Sequence, residues 1–276
     1  MDDYILTDKD LIEYKGDDEV ISSIELYTAL KARCGNIIHH KSHIPSLDNL
    51  ILGFLGGELI VISGKTGNGK TLLCQSLTKS FAENKEKSLW FTYEVPMFQF
   101  LSQFGKDLPH FYMPKILKSK SLDWIYTKIK EAKLKYNIKF IFVDHLHFLA
   151  DVMMRTNPSL EIGRVMRTLK LWALEFDIAM FLVSHMMKIK SDREPESGDT
   201  RDSSFIEQEA DNVFYVWRLT NVENGAILKI TKNRGMGVYN KKVELIKRGN
   251  YLVERSKIPD INNISDDIDT NNFGEE

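Results

Sequence analysis

Gly64, Lys65, Thr66, Gly67, Asn68, Gly69, Lys70 and Thr71 constrain this chain more than any other stretch, because they match G-x-x-x-x-G-K-[ST] in full. The apolar run Glu58 to Ser63 precedes them, and a helical pattern with Leu73, Leu77 and Phe81 on its inner side follows. Glycines let backbone N–H groups turn inward around an anion, and a helix beginning near Lys70 aims its positive end at the same point. In such a loop the lysine neutralises β- and γ-phosphate charge and the Thr71 hydroxyl turns to Mg²⁺. The motif therefore predicts a nucleoside triphosphate site at the end of a strand.

The rest of the chain supplies the scaffold. Short apolar runs at Glu58 to Ser63, Leu89 to Tyr93, Phe140 to Asp144, Ala179 to Ser184 and Val213 to Trp217 alternate with amphipathic stretches, the pattern of a parallel sheet covered on both faces. Leu122, Ile125, Ile129 and Ala132 predict a helix over 122–136, and Ile162, Val165, Leu169, Trp172 and Phe176 another over 159–176, with Asn157 as N-cap before Pro158. From Ala226 to Arg255 the runs shorten and alternate with tight turns, which predicts antiparallel hairpins closing the sheet. The fold class is α/β in three layers, over residues 44–257. Ahead of it, residues 1–43 form an arm with one helix from about Val20 to Cys34. Residues 258–276 carry one aromatic and no base, and are expected to be a disordered acidic tail.

Charge and composition exclude several classes. No apolar run approaches the roughly 18–20 residues that span a bilayer, and the acidic start MDDYILTDKD is unlike a secretory leader, so a cytoplasmic protein is expected. Two cysteines, Cys34 and Cys74, are too few for a disulfide framework. Residues 1–20 and 259–276 each carry a net −6, so the whole-chain −2 leaves +10 for residues 21–258, a body compatible with a polyanionic partner.

A phosphate loop needs an acid for the magnesium shell, and Asp144 stands at the carboxyl end of the run Phe140 to Val143, where ligands bind in parallel sheets. Glu94 ends the second run and would face the same crevice, placed to activate water. His185 follows the fourth run, within reach of a γ-phosphate.

Taken in order, GKTGNGKT, FTYE, FIFVDHLHFL, FLVSHMMK, GDTRDSSFIEQEADNVFYVWR and ITKNRGMG resemble the ATPase domain of DnaB-type replicative helicases, within the RecA-like ring ATPases, over residues 44–250. The resemblance implies a RecA-like fold, ATP and Mg²⁺ as cofactors, hydrolysis between subunits of a homo-hexameric ring, and movement on single-stranded DNA. It implies that Glu94 is the catalytic glutamate, Asp144 the magnesium-shell acid and His185 the γ-phosphate sensor. Lys232 and Arg234 match the basic pair that reaches the neighbouring subunit's site, and Arg201, Asp202 and Ser204 match the channel loop that binds DNA phosphates. Two further classes stay open: a non-motor RecA-like ATPase acting as recombination mediator or helicase loader, and a KaiC-like signalling ring without nucleic acid.

The sequence also departs from the family. Its N-terminal helical domain, which contacts primase, has no counterpart in the roughly 43 leading residues, so primase binding is not expected. His145 and His147 stand where the family commonly has Tyr and Gln, and hydrogen bonding around Asp144 is their expected role. His39, His40 and His43 are expected to be loop residues, and Arg164, Arg167 and Lys170 a solvated helix face. The rings between Trp90 and Tyr126 are expected to be core.

Overall fold

The computed structural model describes residues 7–34, 37–119, 121–150, 158–185, 194 and 203–255. The expected tail, Asn157, Arg201 and Asp202 lie outside them. The chain divides into two units, Met1–Ile38 and His39 onward. In the first, α1 (Asp8–Ile12) is closed by a capping box between Thr7 and Asp10. The next helix, α2 (Ser23–Cys34), begins three residues later than its apolar stripe suggests, because Ser22 and Glu25 exchange capping hydrogen bonds there. Ile24, Tyr27 and Leu30 on that stripe are exposed.

The second unit follows as α3 (Pro45–Ile51), β1 (Leu59–Gly64), α4 (Lys70–Glu83), β2 (Ser88–Thr92), α5 (Met97–Ser102), α6 (Leu122–Tyr136), β3 (Phe140–Asp144) and α7 (His147–Ala150). It continues through α8 (Pro158–Phe176), β4 (Ala179–His185), α9 (Ser203–Glu209), β5 (Asn212–Arg218), β6 (Gly225–Asn233), β7 (Lys241–Arg248) and β8 (Tyr251–Glu254). One sheet in the order β2-β3-β4-β1-β5-β6-β7-β8 joins all the strands. The first five are parallel and the last three antiparallel, as the shortening runs predict.

Alternation along each strand builds two cores. Ile60, Ile62, Phe142 and Phe181 point to one face and pack against Leu73, Leu77 and Phe81 of α4. Leu59, Val61, Ile141 and Leu182 point to the other and pack against Ile125 and Ile129 of α6 and Val165 and Leu169 of α8. The α4 contact is aromatic: Phe81 stacks on Phe140 at 3.7 Å, and Trp90 Nε1 donates to Thr78 Oγ1 at 2.9 Å. These contacts fix the helix that follows the phosphate loop. Trp90, Phe91, Phe100 and Phe104 are fully or almost fully buried, as expected, whereas Phe98 is exposed.

Candidate functional site

The parallel topology brings the carboxyl ends of β1, β2, β3 and β4 to one edge of the sheet, and the expected nucleotide residues gather there. Gly64 ends β1 in register with His185 of β4, and Thr92 ends β2 in register with Asp144 of β3. A side chain at Gly64 would place its Cβ 2.3 Å from the Val216 carbonyl oxygen, so strand packing itself demands glycine. Gly67 and Gly69 hold positive φ angles of 77° and 97°, and Gly69 caps α4 with no side-chain hydrogen bond. The first-turn N–H groups of α4 therefore lack a side-chain cap at the loop, as an anion site requires.

Lys70 is buried, and its Nζ donates to Gly64 O at 2.9 Å and Lys65 O at 3.1 Å. Burial lowers its pKa, against the opposing attraction of Asp144 and Glu94. Thr71 Oγ1 donates to Asp144 Oδ2 at 2.7 Å. Burial raises the Asp144 carboxyl to about 6, with the Thr71 hydrogen bond and Lys70 opposing and Glu94 adding. Its other oxygen, Oδ1, is buried without a hydrogen-bond partner among the described residues. A water of a hydrated Mg²⁺ ion would donate to that oxygen, so the Thr71 and Asp144 pair fits the expected metal.

Glu94 and His185 line a cleft of about 400 Å³ together with Gly67, Gly69, Lys70 and Thr71. The same cleft is walled by Arg218, Lys247 and Asn250, which no sequence motif marks. Arg218 ends the parallel strand β5, and its N–H donates to Asn68 Oδ1 at 2.9 Å, while Lys247 comes from β7 and Asn250 from the turn before β8. An adjoining cleft of about 240 Å³ shares Gly69, Leu72, Arg218 and Lys247 and adds Val222 and Leu252. A larger cleft of about 520 Å³ lies along the β2 edge, between Leu89, Tyr112 and α6, away from the loop.

Lys232 and Arg234 are not part of this gathering. Lys232 pairs with Val213, which pairs with Val61, and Arg234 N donates to Asp211 O beside Leu59. Arg234 thus stands about five residues, or ~16 Å, along the sheet from Gly64, at the opposite end. Its guanidinium donates to Asp211 Oδ1 at 3.0 Å and Gln208 O at 3.0 Å and is half exposed. Asp211 also accepts from Lys170 Nζ at 2.6 Å and Leu59 N at 2.8 Å. Arg164 pairs with Glu161 and Arg167 with Glu209, so the basic face of α8 is ion-paired throughout. Ser204 lies in α9. His40 departs from the loop reading: it pairs with Glu86 and packs edge-on against Phe140 at 5.1 Å.

The buried Asp144 carries a prediction. A carboxyl held at about 6, against an ordinary 3.8, binds its proton more tightly folded than unfolded. In the metal-free protein the parental chain is therefore fully stable below the ordinary carboxyl range and loses about 2–3 kcal/mol as pH rises through about 6. Asp144→Asn escapes that loss, so without metal its Tm exceeds the parent's at about pH 8 and the gap closes at about pH 4. Thermal unfolding at the two pH values checks this, and a constant gap counts against it.

Comparison with known proteins adds the last observations. The profile of the DnaB-like helicase C terminal domain matches residues 111–251. The replicative DNA helicase DnaB of Haemophilus influenzae is 24% identical over 237 residues, covering 73% of this chain and 50% of that protein. The chain spans about half the length of the curated relatives it matches. Among solved structures, a DnaB-like replicative helicase described with its interactions with primase superposes with a TM-score of 0.70 at 20% identity, covering 88% of this chain and 69% of that one. A KaiC-like protein from the hyperthermophilic archaeon Pyrococcus horikoshii gives 0.61 at 21% identity, covering 80% and 100%. The fold they share with this chain is RecA-like.

Proposed function

The chain belongs to the DnaB-like helicase C-terminal domain family, and from that premise we propose that it is an ATP-driven ring motor that moves on single-stranded DNA and separates duplexes. The observation that carries the reading is a division of labour across the sheet. Lys70, Thr71, Asp144, Glu94 and His185 meet at one end, while Lys232 and Arg234 sit at the other.

In this reading ATP lies along the loop, with its phosphates on the α4 N-terminus and its nucleoside end toward the Leu72 and Arg218 cleft. Thr71 and Asp144 would hold hydrated Mg²⁺, which would neutralise phosphate charge. Glu94, half exposed beside the cleft, accepts a proton from the attacking water, and His185 donates to the γ-phosphate. Arg234 is too far along the sheet to serve its own site. It acts on a neighbour's, leaving Asp211 to place its charge on the transferring phosphoryl group. A homo-hexamer supplies such neighbours at every site. Arg201, Asp202 and Ser204 line the DNA channel, where arginine and backbone N–H groups bind phosphates without reading bases.

Steady-state ATP hydrolysis with and without single-stranded DNA, at low salt because phosphate contacts are salt-sensitive, tests the proposal. Strong stimulation supports a DNA-coupled machine, and an unwinding assay then separates a motor from a mediator or loader. Hydrolysis indifferent to DNA sinks the motor and favours a signalling ring of the KaiC kind. Arg201→Ala is expected to weaken DNA binding and reduce the salt slope of log K by about one, with little loss of basal hydrolysis. Unchanged affinity across a salt series removes Arg201 from the channel.

A further inference from the structure

Three neighbouring strands bring residues at or just past their carboxyl ends together at the nucleotide cleft. Glu94 follows β2, His145 follows β3 and His185 ends β4, and these strands are adjacent in the sheet. Each residue offers one ligand atom, and the three atoms lie within 4.8 Å of one another. His145 Nδ1 is 3.5 Å from Glu94 Oε2, and the His145 and His185 rings meet edge-on with centroids 4.3 Å apart. The 3.5 Å spacing exceeds an ordinary N–H···O hydrogen bond. It is close to the edge of a zinc tetrahedron, where ligand atoms at about 2.0–2.1 Å from the ion stand roughly 3.3 Å apart. No other group of His, Cys, Asp and Glu converges in this way among the described residues.

We propose that Glu94, His145 and His185 form a second metal site, selective for Zn²⁺ and similar transition ions and separate from the magnesium site at Thr71 and Asp144. Two imidazoles and a carboxylate make the donor set of an open zinc site, with the fourth position left for water or a phosphate oxygen. Imidazole nitrogen disfavours Mg²⁺, which takes oxygen donors, so the two ions sort by chemistry within one cleft. Glu94 and His185 line the nucleotide cleft, so the open position faces it. An ion here engages the Glu94 carboxylate, which then cannot accept a proton from water, and hydrolysis falls. That inhibition rests on the role proposed for Glu94; the binding does not.

Tag-free, nucleotide-free full chain is titrated with Co²⁺ in excess Mg²⁺, following the visible absorption of the tetrahedral cobalt ion. The expected result is one equivalent bound and displaced by Zn²⁺, with affinity lowered at least about 100-fold in His145→Gln and in His185→Gln. Circular dichroism of each variant establishes that it is folded, and either variant suffices. Absent cobalt absorption, competition by Mg²⁺, or affinity untouched by a folded variant overturns the site. Zn²⁺ is expected to inhibit ATP hydrolysis by the parent and much less by His145→Gln. Cobalt binding without zinc inhibition upholds the site and removes Glu94 from water activation.

Discussion

Lys70→Ala is expected to lower ATP turnover by about 10³-fold or more while the chain stays folded. The size follows from what Lys70 does in the buried loop. Its Nζ is drawn in against the Gly64 and Lys65 carbonyls at 2.9 and 3.1 Å, in a position where burial already depresses its pKa. A cation held in a water-poor site interacts with phosphate far more strongly than in water, and it is in place before charge develops. Alanine removes this and leaves two carbonyls without that donor, but it also removes a buried charge, so the net change in stability is small. Single-turnover hydrolysis at saturating ATP and a thermal melt measure the two effects separately. A folded Lys70→Ala protein that retained parental turnover would falsify the assignment of this loop.

Much of that site is legible in the sequence because its logic is local. The loop motif fixes spacing and glycine geometry within eight residues, and runs buried on both faces announce their strands with no help from distant parts of the chain. Asp144, Glu94 and His185 can be found because a parallel strand presents its carboxyl end to the ligand whatever the strand order. What the sequence withholds depends on that order. That β2, β3 and β4 are adjacent, and therefore that Glu94, His145 and His185 meet, requires the sheet topology. Lys247 and Asn250 reach the cleft only through the antiparallel extension, from β7 and the turn before β8, and no spacing rule links Asn250 to Gly69, whereas Arg218 stands at the carboxyl end of the parallel strand β5. The short helices α3, α5, α7 and α9 are too brief for a periodic signal. Asp48 in α3 accepts from the Ser42 and His43 N–H groups that lead into the helix, a contact that no motif announces.

Arg234→Ala is expected to bind ATP as the parent does and to lower turnover by about 10³-fold, the range removed with an arginine finger. The geometry forbids a direct role in its own site, since Arg234 stands beside Leu59, at the end of the sheet opposite Gly64. A purely structural role, tethering α9 through Gln208 and neutralising Asp211 with Lys170, predicts a different result: lower stability and little change in turnover. Mixing separates the two. Lys70→Ala and Arg234→Ala chains are each expected to turn over ATP only weakly alone, but where an Arg234→Ala chain supplies the loop and a Lys70→Ala neighbour supplies the arginine, a shared site would be intact. Random assembly from equal amounts restores about one interface in four, and activity should rise toward that fraction as the two proteins exchange subunits. A site contained within one chain cannot be rescued this way. An inert mixture whose subunits demonstrably exchange therefore confines catalysis to single chains, and Arg234 is then a tether for α9.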